Sequence, residues 1–152
     1  MSKLSDITAK PVIIGCDHAA YQLKEKVKTC LEELGFKVED VGTHGPESVN
    51  YTDFGIKVAE AVSTKKNDRG ILLCGTGLGM SMIANKYKNV RAALCSEEFS
   101  TRMSRLHNDS NILVLGARVI GESLALSLVK AWLETPFEGG RHLTRIEMFD
   151  KI

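Results

Sequence analysis

No stretch of this 152-residue chain approaches the roughly 18 consecutive apolar residues that span a bilayer. The opening Met1-Ser2-Lys3-Leu4-Ser5-Asp6 starts no apolar run of signal-peptide length. A membrane protein and a passenger of the usual secretory route are therefore not expected; the expected location is the cytoplasm. Charge of one sign is missing too. Twenty Lys and Arg stand against 19 Asp and Glu, a formal net charge of +1, so no global field draws the protein to nucleic acid or lipid. An anionic ligand must be held by basic groups placed locally. The four cysteines, Cys16, Cys30, Cys74 and Cys95, form no C-x-x-C pair, which excludes the usual zinc and dithiol motifs. They are expected as reduced, mostly buried thiols. Among the four histidines no pair has i, i+4 spacing, so no metal site is expected. Repeats, low-complexity segments and interdomain linkers are also missing. Residues 1–10 read as a leader and residues 11–152 as one domain of ordinary size.

Apolar runs alternate with helical periodicity along the rest of the chain. Val12 to Cys16 reads as a buried strand, and Leu23, Val27, Leu31 and Leu34 mark one face of a helix ending at Gly35. Phe36 to Val41 reads as a second strand, followed by a loop broken by Gly42, Gly45 and Pro46. Ile56, Ala59 and Val62 mark a second helix. Gly70 to Cys74 is a third strand, leading through a glycine-rich turn into a helix that reaches about Tyr87. Arg91 to Cys95, a helix from Glu97 to Leu106, Ile112 to Leu115, a helix from Glu122 to Leu133 and a single C-terminal helix from Arg141 to Ile152 complete the pattern. Five apolar strands alternating with helices predict an α/β fold: a three-layer αβα sandwich on a five-stranded parallel sheet, Rossmann- or flavodoxin-like. In the strand order 2-1-3-4-5, strands one and three flank the switch point, and a ligand sits outside their carboxyl ends. Those ends are Cys16-Asp17-His18 and Cys74-Gly75-Thr76-Gly77.

Cys74-Gly75-Thr76-Gly77-Leu78-Gly79-Met80-Ser81 is the strongest local signal. Its three glycines let the backbone approach a ligand, and the positive end of the following helix favours an anion or oxyanion. A phosphate loop is excluded, because Gly79 is followed by Met80 and Ser81 rather than Lys and Ser or Thr. Met80 also occupies the third glycine position of a dinucleotide fingerprint and the place where a cysteine phosphatase needs arginine. The same helix end favours thiolate over thiol at Cys74, and a thiolate is a competent general base. Cys16, Cys30 and Cys95 read as inert, although Cys16 sits where it could approach Cys74 across neighbouring strands. His18 follows Asp17, His107 opens His107-Asn108-Asp109, and His142 stands between Arg141 and Arg145; imidazoles in such company suit proton shuttling. Arg141 and Arg145 are i, i+4 neighbours, two guanidinium forks able to grip a phosphate. Arg118, after the fifth strand, is a third candidate.

Taken in order, Gly15-Cys16-Asp17-His18, the Cys74 turn, Asn85-Lys86, Arg91-Ala92, His107-Asn108-Asp109, Gly116-x-Arg118 and Gly139-Gly140-Arg141-His142-x-x-Arg145 resemble the type B ribose-5-phosphate isomerases. Allose-6-phosphate and galactose-6-phosphate isomerases belong to the same superfamily. The resemblance runs from about residue 11 to residue 150. It implies interconversion of ribose 5-phosphate and ribulose 5-phosphate through an enediolate, in the pentose phosphate pathway, without metal or cofactor. It makes Cys74 the base between C2 and C1, with Thr76 and the amides from Gly75 through Gly77 to Gly79 stabilising the enediolate oxygen. It assigns Asp17 and His107 to ring opening and Asn108 to a substrate hydroxyl. His18, Arg141 and Arg145 would hold the phosphate, assisted by His142 and Arg118, with Tyr51 and Ser81 lining the sugar site. It implies a homodimer or tetramer, with the active site at the subunit interface. Some members carry Ser at this cysteine and a Glu base elsewhere; Cys74 puts this chain with the cysteine type. The alternatives are a hexose-phosphate isomerase and a phosphosugar-binding domain without catalysis. A pure binder would need the arginine clamp but not Cys74, Thr76 and His107 together.

Overall fold

The computed structural model describes residues 10–152. Of the ten-residue leader, residues 1–9 lie outside the described part; Lys10 is held by hydrogen bonds to the Lys65 carbonyl and Asp68. In chain order the elements are β1 (Val12–Cys16), α1 (Tyr21–Glu33), β2 (Val38–Asp40), α2 (Tyr51–Ser63), β3 (Gly70–Cys74), α3 (Leu78–Ala84), β4 (Ala92–Leu94), α4 (Glu98–Leu106), β5 (Ile112–Gly116), α5 (Glu122–Glu134) and α6 (Arg141–Ile146), then a 3-10 turn over Phe149–Lys151. The single C-terminal helix expected over 141–152 is thus two short pieces. The Met148 N–H reaches back to the Arg145 carbonyl, an i to i+3 bond that tightens the chain out of α-helical register.

All five strands are parallel, in the order β2-β1-β3-β5-β4. The expected order placed β4 beside β3; instead β5 takes that place and β4 lies at the edge. Burial explains the exchange. Ile112-Leu113-Val114-Leu115-Gly116 is apolar throughout and buried at every residue, so it belongs inside the sheet. Ala92-Ala93-Leu94 is short and part-exposed, as suits an edge strand.

The crossovers place α1, α4 and α5 on one face of the sheet and α2 and α3 on the other. Alternation along the strands divides the core accordingly. Ile14, Cys16, Ile71, Leu73, Leu113 and Leu115 pack with Val27, Leu31, Leu128 and Trp132 on the first face. Ile13, Leu72, Cys74, Ile112 and Val114 pack with Val58, Val62, Met80 and Ala84 on the second. Each fully buried Leu, Ile or Val contributes about 1.5–3 kcal/mol, and the central strands are built almost entirely of them. The core therefore holds the carboxyl ends of β1, β3 and β5 rigidly side by side. No helix is long and apolar enough to cross a membrane, among the described residues.

Candidate functional site

The sequence-predicted residues fall into two groups, one at each edge of the sheet. At the carboxyl edge, Cys74 ends β3 and is 5% exposed. The Gly77 N–H donates to its Sγ at 3.1 Å. Gly77 has φ +81, and a Cβ there would strike the Leu94 side chain and approach the Leu115 backbone, so only glycine makes this turn. The Leu78 N–H donates to Thr76 Oγ1 at 3.3 Å. Of the turn amides, that of Gly77 is engaged by the cysteine, because closing the turn brings its N–H onto the sulfur. The Ser81 hydroxyl donates to the Leu78 carbonyl at 2.8 Å, inside its own helix, and keeps its acceptor lone pairs.

β5 completes the rim. Its end is tied to β3 by Ala117 N–H to the Cys74 carbonyl and Arg118 N–H to the Gly75 carbonyl, both 2.9 Å. The exposed Arg118 side chain then lies across Gly75, where a Cβ would stand 3.3 Å from Nη1. Gly116 meets the Thr76 backbone so closely that a Cβ would be 2.6 Å from its carbonyl oxygen. Tyr51, the first residue of α2, lays its ring over Gly79, and a Cβ at Gly79 would stand 2.5 Å from that ring.

From β1 come Asp17 and His18. The Asp17 N–H donates to the Leu73 carbonyl at 3.2 Å, which sets Asp17 beside Cys74. Its carboxylate accepts the Ala19 N–H at 3.0 Å, and it is 8% exposed. His18 Nδ1 accepts the Val49 N–H at 3.2 Å, so the neutral ring carries its proton on Nε2. Cys16 does not approach Cys74. Its register partner is Leu73, and it projects to the α1/α5 face while Cys74 projects to the α2/α3 face. Burial pushes the Cys16 thiol up to about 12, and all four cysteines are free and buried.

The second group sits at the amino edge. His107 caps the C-terminus of α4, which runs back from the carboxyl edge, and Asn108 follows it, exposed. A five-residue strand separates the two edges, roughly 13 Å at about 3.3 Å per residue. Gly139 and Gly140 take φ +72 and +56 to turn the chain into α6, whose Arg141 and Arg145 are exposed. Neither guanidinium is ion-paired among the described residues. His142 is 5% exposed and its ring stacks on that of His107. Burial lowers its pKa first, helped by His107, Arg141 and Arg145 and opposed by Glu138. Its Nε2 finds no hydrogen-bond partner, the Glu138 carboxylate standing 3.8 Å away.

Among the described residues two donor groups are compact enough to consider for a metal: His107 with Glu138 and His142, and Glu25 with Asp40 and His44. In the first, stacked rings with planes 13° apart do not converge on one ion. The second already holds a cation. Lys24, 0% exposed, places Nζ 2.7 Å from Asp40, 3.1 Å from Glu25 and 3.3 Å from His44. Burial works to raise Asp40, but hydrogen bonds from Lys24 and the Gly42 amide hold it below the usual carboxylate range. This ion pair, which anchors the loop leading to Val49, was not foreseen from sequence. Neither was the buried Arg105, whose only signal is its i, i+4 spacing to Asp109.

The family model for ribose/galactose isomerases matches residues 12–149. The chain is 45% identical over 143 residues to ribose-5-phosphate isomerase B of Escherichia coli, covering 94% of this chain and 96% of that one. Among solved structures it is similar to ribose-5-phosphate isomerase B of Clostridium thermocellum, with 52% identity, a TM-score of 0.91 and coverage of 93% and 95%. It is also similar to the Mycoplasma genitalium enzyme with bound ribulose-5-phosphate, with 36% identity, a TM-score of 0.91 and coverage of 94% and 95%.

Proposed function

The chain belongs to the ribose/galactose isomerase family, and on that premise we propose that it interconverts ribose 5-phosphate and ribulose 5-phosphate with Cys74 as the base. The observation that carries the reading is the Cys74 sulfur itself: at the carboxyl edge of the switch point, capped by an amide at 3.1 Å and flanked by Asp17, Thr76 and Arg118. On the open-chain aldose, the Cys74 thiolate takes the C2 proton, and the C1 carbonyl electrons move to oxygen as the enediolate forms. The same sulfur returns the proton to C1 while the O2 proton passes to O1. The atoms balance within the substrate, so the residues present need supply only proton transfer and charge stabilisation. Thr76, beside Cys74 in the turn, is the residue we assign to stabilising that charge.

The phosphate and the ring-opening step call for the second group, and it lies a strand's length away in the same chain. We place the working site between two copies: Asp17, His18, Tyr51, Cys74, Thr76 and Arg118 of one, with the partner subunit's His107, the partner's Asn108, the partner's Arg141, the partner's His142 and the partner's Arg145. Unpaired guanidinia on α6 favour this reading, as do Leu78 and Met82, exposed on α3 beside the turn where a second copy would cover them. Four free thiols accord with a cytoplasmic location.

The test is turnover of ribose 5-phosphate in EDTA, comparing wild type with Cys74→Ala. Robust wild-type activity, lost by about 10²-fold or more in the variant, supports the cysteine base. A wild type inactive on ribose 5-phosphate but active on a hexose 6-phosphate overturns the substrate. Inactivity on both moves the chain to the binding-domain reading.

A further inference from the structure

Beneath His107 and Asn108 lies a buried guanidinium. Arg105 is 4% exposed, and its Nη1 donates to Asp109 Oδ1 at 2.8 Å and to the Ser110 carbonyl at 2.5 Å. Its Nε donates to the Thr135 carbonyl at 3.3 Å, at the end of α5. A second arginine grips the same loop from the other side. Arg91 Nε donates to the carbonyls of Asn108 and Asp109 at 3.1 and 3.0 Å, and its Nη2 approaches Asp109 Oδ2 at 3.4 Å. Each carboxylate oxygen of Asp109 is thus taken by a different arginine. Asp109 itself sits at φ +45, a left-handed conformation that a non-glycine residue holds only when its surroundings require it. The floor is fixed as well: Trp132 Nε1 donates to Ser110 Oγ at 2.8 Å, and Ser110 pairs with Ser104 at 2.9 Å.

Stability alone does not account for this arrangement. Burying the Arg105 guanidinium costs desolvation that a part-exposed carboxylate offsets only in part, and a left-handed turn is made more cheaply by glycine. What the two arginines do is fix the loop from which the His107 ring and the Asn108 side chain emerge, in three dimensions and from three elements. We propose that Arg105, Asp109 and Arg91 form a positioning clamp for His107 and Asn108, so that the residues acting on the sugar ring are held in place before substrate arrives. The inference rests on the function proposed above; none of the three clamp residues touches the reacting atoms.

Two substitutions at one position separate positioning from structure. Asp109→Gly suits the left-handed backbone but removes both carboxylate contacts, leaving the two arginines only the backbone carbonyls of the loop. Asp109→Asn tolerates the same backbone and keeps an Oδ1 acceptor for Arg105. We expect Asp109→Gly to melt within a few degrees of wild type yet lose 10- to 100-fold in kcat, with KM moving less, since misplacement by about 1 Å costs that much. Asp109→Asn should recover to within about threefold. In the ligand-free protein, the His107 ring resonances in 15N-resolved spectra should shift in the glycine variant and stay near wild type in the asparagine variant. Wild-type kcat and unshifted His107 signals in Asp109→Gly would overturn the clamp, as would a loss of activity that merely tracks the loss of folded protein. If wild type does not turn over ribose 5-phosphate, the proposed function fails by itself, and the His107 spectra still decide the clamp.

Discussion

The imidazoles of His107 and His142 lie face to face, with centroids 4.3 Å apart and planes 13° apart. The deeper one, His142, has its pKa lowered by burial and by that neighbour. Unfolded, the same residue binds a proton near the ordinary histidine value of about 6.5. The folded state therefore resists a proton that the unfolded state accepts. The contribution to stability is whole above that value and is lost as pH falls from it through the lower value of the folded state. We expect the melting temperature to fall more steeply from about pH 7 to about pH 5 in wild type than in His142→Gln. Parallel melting curves in the two proteins would remove His142 as the titrating group.

Cys16 and Cys74 end neighbouring strands but project to opposite faces of the sheet. Iodoacetamide should therefore inactivate by way of Cys74 alone. Cys16, buried and with its thiol pushed up to about 12, offers almost no thiolate near neutrality. The expected result is that Cys16→Ala loses activity to the reagent as fast as wild type does, and that peptide mapping finds the adduct on Cys74. A Cys16–Cys74 disulfide on mild oxidation, seen as a linked peptide pair, would contradict the register.

Much of this was readable before any coordinates, for reasons that also explain the failures. β1, β3 and β5 announce themselves because strands buried on both faces must be continuously apolar. Chain order alone puts β4 beside β3, whereas the fully apolar run of β5, against Ala92-Ala93-Leu94, marks β5 as the inner strand. The glycine-rich turn was legible because only glycine makes a left-handed turn at Gly77. Which amides face outward was not, since that depends on the Cys74 sulfur and on Thr76. The division of the site was within reach: in parallel α/β folds, residues that follow strands lie at one edge and residues that follow helices at the other. His107 follows α4, and Arg141 comes after α5. Lys24 lies three and seven residues before Val27 and Leu31, on the apolar face itself, where a lysine ordinarily reaches past its neighbours to solvent. Only the position of Asp40 at the end of β2 shows why it is buried.

Gly79 and Gly116 fail differently when enlarged. At Gly79 a Cβ would stand 2.5 Å from the ring of Tyr51, a side chain 40% exposed and free to swing away. At Gly116 it would stand 2.6 Å from the carbonyl oxygen of Thr76, which is backbone and cannot. Gly79→Ala should therefore keep its stability while KM rises through loss of the Tyr51 position. Gly116→Ala should lose about 1–3 kcal/mol, with activity falling because the Thr76 turn is pushed aside. Urea denaturation beside steady-state kinetics separates the two. Equal stability losses in both variants would mean that Tyr51 is not free to move.

A site divided between two copies makes a prediction that no cis site shares. Cys74→Ala and His107→Ala should each be nearly inactive as homodimers. Mixed by unfolding and refolding together, they form hybrids in which one site has both defects and the other has neither. The intact site takes Cys74 from the His107→Ala chain and the partner subunit's His107 from the Cys74→Ala chain. With random pairing half the dimers are hybrids, and half the sites of each hybrid are whole, so the mixture should regain about a quarter of wild-type activity. If both groups acted within one chain, every site in the mixture would carry one defect, and activity would stay at the level of the separate variants. Adding Arg141→Ala to one chain or the other extends the test. On the Cys74→Ala chain it should abolish the rescue, because that chain supplies the phosphate arginines to the intact site. On the His107→Ala chain it should leave the rescue unchanged.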